Sequence, residues 1–152
     1  MAKDLTTSTI DRQNILNNNV ALPRIQEALD IKPLEYKGVL YMTKQMAADF
    51  YAVDLRTITN CLNANEEELK KNGYMILQGK ELKEFKLHFG KEIDFPIKTV
   101  RLGIFDFRSF LNIGMLLTTC EKAKQVRGMM LDIVTTFYYP DNSNNRLVIT
   151  SR

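Results

Sequence analysis

The chain has no tryptophan, a single histidine (His88) and only two cysteines (Cys61 and Cys120) among its 152 residues. Two distant thiols give neither a disulfide framework nor the paired spacing of a zinc site. A Cys–His or Ser–His–Asp relay would have to be built on His88 alone, and its alternating surroundings read as half-exposed surface. The seven glycines are scattered, so no glycine-rich loop is available to wrap a phosphate. No apolar run approaches the roughly 18 residues that cross a bilayer. The opening stretch, MAKDLTTSTIDRQNILNNN, lacks the apolar core of a secretory leader. These absences predict a reduced, intracellular, soluble protein with no cofactor, no metal and no membrane partner.

What is present is ordinary globular composition, 45% hydrophobic and 26% charged, which argues against wholesale disorder. The net charge is +3. From Lys98 onward eight basic residues face four acids, a weakly basic final third compatible with a phosphate-facing surface.

Residues 1–22 are polar and read as an N-terminal arm, with 23–139 as the folded domain and 140–152 as linker and tail. Pro23 suits a first helical turn, and Ile25, Ala28 and Leu29 extend a helix over about 23–30. Leu34 to Met42 reads as two short strands around a Lys37-Gly38 turn. Thr43 is a good N-cap for a helix over about 44–51. Ala52-Val53-Asp54 connects it to a second helix, 55–65, anchored by Ile58 and Cys61/Leu62. Glu66-Glu67-Glu68 would sit at the wrong end of that helix for its dipole, so either the helix ends near Asn65 or these acids start another short turn. Tyr74 to Phe89 predicts a lysine-bearing hairpin, with a helix over 80–88 as its competitor. Ile97 to Ile104 is strand-like. Two helices close the domain, one from an Asp106 cap to Leu117, the other over 119–138 with Thr118 and Glu121 as a capping box. The fold class is thus α+β, a helix-turn-helix with a β-hairpin wing and two C-terminal packing helices.

The two helices at 43–65 carry the functional signal. Small Ala47 and Ala48 let them pack closely and present the second outward. Its free face holds Arg56, Thr57, Thr59, Asn60 and Asn63. Arg matches guanine O6/N7, Asn matches adenine N6/N7, and Thr suits phosphate or a thymine methyl. Thr43 and Lys44 would meet phosphates, and Lys80, Lys83 and Lys86 would do so from the wing. Glu92, Asp94 and Lys98 loosely resemble a metal-nuclease set, a pattern common by chance in charged loops.

The run from Gln45 through Ala47-Ala48, Tyr51-Ala52-Val53-Asp54 and Thr57-Ile58-Thr59 resembles the helix-turn-helix of phage and bacterial RhuM-like and KilA/BRO-type antirepressor N-terminal domains. A second block, Phe107 to Leu117 followed by Cys120-Glu121-Lys122-Ala123-Lys124-Gln125-Val126-Arg127, is similar to their second half. Ala52 stands where glycine is usual, and Cys120 where serine is. The resemblance spans about residues 36–138. It implies a cytoplasmic, nucleoid-associated regulator of a prophage or mobile element, in a bacterial or phage-infected cell. The expected partner is double-stranded DNA, bound specifically and without catalysis, by a homodimer that the surplus apolar residues of helix 119–138 (Met129, Leu131, Tyr138 and Tyr139) predict. The alternatives that the resemblance leaves open are a protein-binding module that engages a repressor and the N-terminal reader of a larger effector.

Overall fold

The computed structural model describes residues 4–90 and 99–138. Along them run α1 (Thr9–Leu16), α2 (Ala21–Ala28), β1 (Leu34–Tyr36), β2 (Val39–Thr43), α3 (Lys44–Tyr51), α4 (Leu55–Ala64), α5 (Glu66–Lys71), β3 (Met75–Gln78), α6 (Gly79–Phe89), β4 (Arg101–Asp106), α7 (Phe107–Leu116) and α8 (Glu121–Tyr138). The fold is α+β. It divides into a unit over Lys32–Phe110 and a second formed by the described residues on either side.

The first unit is organised by one antiparallel sheet, in the order β1-β2-β4-β3. β1 and β2 form the expected hairpin. Lys37 and Gly38 turn it with φ of 52° and 79°, the doubly positive pattern whose twist matches the flanking strands. β4 then lies between β2 and β3, pairing Met42 with Phe105 and Leu77 with Leu102. Period two sends alternate side chains to opposite faces. Leu34, Leu77 and Ile104 bury with Leu82, Phe85 and Phe89 of α6. Phe105 packs on the other face against Tyr74, ring centroids 4.9 Å apart. Tyr74 also lies so close to Gly103 that a Cβ there would strike its hydroxyl.

The hairpin expected over Tyr74–Phe89 is instead a strand followed by a helix. Gly79, at φ +61°, ends β3 and starts α6. From there burial follows the helical spacing Leu82, Phe85, Phe89, while Leu87 is 78% exposed. The apolar residues fit both periods until that leucine is placed. Lys80, Lys83 and Lys86 therefore sit on a helix, and Lys86 Nζ donates to the Thr99 carbonyl at 2.7 Å. The strand expected at 97–104 is β4, shifted to 101–106. Glu92, Asp94 and Lys98 lie outside the described residues, as do Tyr139 to Arg152.

In the second unit, the polar stretch read as an arm is helical from Thr9. Leu5, Ile15, Leu16, Ala21 and Ile25 are buried. The Arg12 guanidinium is buried among them, donating to the Leu5 carbonyl at 2.8 Å and to Thr9 Oγ1 at 3.1 Å. Asn18 Oδ1 accepts the Val20 and Ala21 N–H groups and so opens α2. Pro23 occupies its first turn, as predicted.

α7 starts in the first unit and ends in the second. Asp106 Oδ1 accepts both the N–H and the hydroxyl of Ser109, each at 2.9 Å. From Phe110 to Met115 the helix is buried. α8 packs along α2 with Ala123, Val126 and Met130 buried. Its cap is Cys120, whose Sγ accepts the Ala123 N–H at 3.4 Å. Thr118 is exposed in the preceding turn, so the capping-box expectation fails by two residues.

Arg127 closes the end of α7, donating Nη1 to the carbonyls of Gly114 (2.9 Å) and Leu117 (2.7 Å). Those carbonyls have no helical partner, and a cation there also meets the negative end of the helix dipole. Arg127→Ala removes two charge-assisted bonds, so stability should fall by about 1.5–3 kcal/mol. A urea unfolding midpoint that does not move would refute this role.

Candidate nucleic-acid interface

The α3–α4 pair is built from its first residue upward. Thr43 Oγ1 accepts the Met46 N–H at 3.1 Å and caps α3. Ala47 and Ala48 are fully buried, small enough for α4 to lie close. Tyr51 anchors the far end. Its hydroxyl donates to the Phe110 carbonyl at 2.9 Å, and the two rings stack at 5.3 Å.

The turn is a Schellman motif. Val53 N–H donates to Ala48 O at 3.0 Å and Ala52 N–H to Asp49 O at 3.3 Å, with Ala52 left-handed at φ 58°, ψ 47°. Glycine is the residue this conformation favours. Ala52 accepts the steric cost of its methyl group.

α4 follows with its backbone held by Thr57 N–H to the Asp54 carbonyl at 2.9 Å, while the Asp54 side chain makes no cap bond. Ile58 and Leu62 bury at 0% and 4% exposure and fix one face of the helix. Arg56, Asn60 and Asn63 are exposed, and their spacing of four and three places them together on another face. Thr57 and Thr59 are half-buried beside them. Leu55, at 44% exposure, stands at the open end of the stripe that Ile58 and Leu62 continue, three and seven residues on. Asn65 Nδ2 donates to the Cys61 carbonyl at 2.9 Å and ends the helix.

The other predicted residues are placed differently. Thr43 is buried, with its hydroxyl engaged in the cap. Lys44 is half-buried. Lys80 and Lys83 are exposed on α6, and Lys86 is half-buried at its Thr99 bond. The acids Glu66, Glu67 and Glu68 form the first turn of α5, where they complement its dipole. Glu66 also pairs with Lys70 at 3.0 Å.

No nucleophile is prepared here. Burial pushes the Cys61 thiol up to about 11, and the nearby Glu68 carboxylate adds to this against the Asn65 amide. Both cysteines are free thiols. Among the described residues no cluster of His, Cys, Asp and Glu is arranged to hold a metal ion. Compared with known protein families, curated proteins and solved structures, the chain matches none.

Ala52→Gly should stabilise the protein by about 0.5–1 kcal/mol, the relief of strain exceeding the added freedom of the unfolded chain. Thermal unfolding measures it, and a lower melting temperature would contradict the turn assignment. Cys61 should react with iodoacetamide at pH 8 more than about tenfold slower than a free thiol, because its thiolate is scarce. Mass spectrometry of the native protein reads the rate, and prompt labelling would contradict the burial.

Proposed function

We propose that this chain is a sequence-specific reader of double-stranded DNA, of the helix-turn-helix type, with α4 as the helix laid in the major groove. The observation that carries the reading is the division of α4. Ile58 and Leu62 hold one side to the core, while Arg56, Asn60 and Asn63 stand exposed on another. Those side chains match base edges in the major groove. Lys44 and the exposed Lys80 and Lys83 are available for backbone phosphates. The reading contains no hairpin wing, since α6 takes that segment.

The order and spacing of the sequence blocks that resemble antirepressor N-terminal domains support a role in regulating a prophage or mobile element, in the bacterial cytoplasm. The rival is a module that binds a repressor protein, and an acidic run beside α4 would favour it by repelling phosphate. These acids fill the first turn of α5, where they complement its dipole, and Glu66 pairs with Lys70. The proposed unit of binding is a homodimer joined through α8, whose Met129, Leu131, Ile133 and Val134 are only half-buried.

Arg56→Ala and Asn60→Ala should each lower discrimination between specific and random DNA by about 1–3 kcal/mol with the fold retained. Equal loss on both DNAs would reduce these residues to phosphate contacts, and no loss on either would overturn the assignment of α4. Binding to random duplex should weaken as salt rises, and Lys80→Gln with Lys83→Gln should flatten that dependence by up to about two counterions. Sedimentation at micromolar concentration checks the dimer, and a monomer there would remove it.

A further inference from the structure

A recess of about 170 Å³ opens between the β1–β2 hairpin and α6. Three aromatic rings shape it. Tyr36 and Tyr41 both meet Phe85 edge-on, at centroid distances of 5.5 Å and 6.4 Å. Two carboxylates, Glu81 and Glu84, stand at its mouth, three residues apart on α6 and so on one face of it. The single cation in the lining is Lys37, from the hairpin turn.

Lys37 shows what the recess favours. Its Nζ lies 5.3 Å from the centre of the Tyr36 ring and 3.8 Å from Glu84 Oε2. It is thus held by an aromatic face and a carboxylate together, the combination that recognises organic cations. Its side chain is 71% exposed, so this hold is loose and open to exchange. The lining keeps an excess of one negative charge. The volume is that of a cavity that admits one aromatic ring, too small for a nucleotide or an extended peptide.

We propose that this recess binds a small organic cation: a primary ammonium or guanidinium carried on an apolar body the size of one ring. The body lies between the half-buried Tyr36 and Tyr41, above the buried Phe85. The charge sits between Glu81 and Glu84, in the place that the Lys37 ammonium borders. The site shares no residue with the exposed face of α4 and does not depend on DNA binding.

The test is an NMR titration of the whole chain with 2-phenylethylammonium, following the resonances of Tyr36, Tyr41 and Phe85. Saturable shifts are expected, with Kd between about 10 µM and 10 mM for a ligand of roughly nine non-hydrogen atoms. The neutral 2-phenylethanol should bind about tenfold more weakly, and phenylacetate not at all. Glu81→Gln with Glu84→Gln should weaken the cation by at least about tenfold, whereas Lys37→Gln, which removes the internal competitor, should tighten it severalfold. The three changes are at charged rim positions, and circular dichroism verifies the fold of each variant. Absence of saturable shifts, equal binding of the alcohol or the acid, or a Kd unchanged in the double glutamine variant would each overturn the proposal. Weaker binding in Lys37→Gln would overturn the role given to Lys37.

Discussion

Strand β4 is the interaction on which the sheet unit rests. Of the four strands it is the last along the chain, yet it lies inside the sheet, with β2 on one side and β3 on the other. Three consecutive residues tie it to three different elements. Ile104 enters the core beneath α6, Phe105 packs on Tyr74, and Asp106 caps α7 through Ser109. Before β4 pairs, β2 and β3 have no common partner. Such pairing brings together residues far apart in sequence and costs loop entropy before it gains contacts. The close fit at Gly103 belongs to the same constraint, because the Tyr74 ring can cross the strand only where no side chain stands.

β2 transmits this order to the α3–α4 pair. Thr43 ends the strand, pairs with Ile104 and caps α3 in one residue. Tyr51 then fastens the other end of α3 to the backbone of α7. With both ends of α3 fixed, the left-handed Ala52 sets where α4 leaves, and Ile58 and Leu62 set which face it turns inward. The exposure of Arg56, Asn60 and Asn63 follows from these attachments rather than from any contact of their own. That explains how alanine at the turn is tolerated: the strain at one methyl is offset by anchors on both sides of it.

Much of this was readable in the sequence, where local chemistry leaves few choices. Lys37-Gly38, Thr43 and Asp106 each mark a boundary through a turn or a cap, and the structure places those boundaries within a residue or so. The second helix and its two faces were readable because Ile58 and Leu62 repeat at the helical period. α6 was not, because Leu82, Phe85, Leu87 and Phe89 satisfy strand and helix periods almost equally. Tertiary packing against Leu77 and Ile104 decides the matter, and it leaves Leu87 outside. The first helix was missed for a different reason. α1 is polar, and its stability comes from the buried Leu5, Ile15 and Leu16 and the Arg12 bonds, which no local pattern reveals. The cap of α8 fell on Cys120 because sulfur is a weak acceptor that cap preferences overlook.

Electrostatics constrains how the proposed reader can work. The sheet unit, residues 32–110, carries thirteen basic and eleven acidic residues in sequence, so it projects no broad positive field. Affinity then cannot rest on neutralising many phosphates, each of which contributes about −0.9 to the salt slope. More of it must come from base contacts. In the proposed reading, Arg56 and Asn60 on one α4 would supply about 2–6 kcal/mol of discrimination, reaching only the lower part of the ~4–10 kcal/mol that separates specific from random binding. Two copies of α4 on two half-sites would cover that range without adding charge. A nearly neutral reading unit would therefore require the proposed two-fold assembly. The half-buried apolar residues of α8 are where the chain has surface to meet the second.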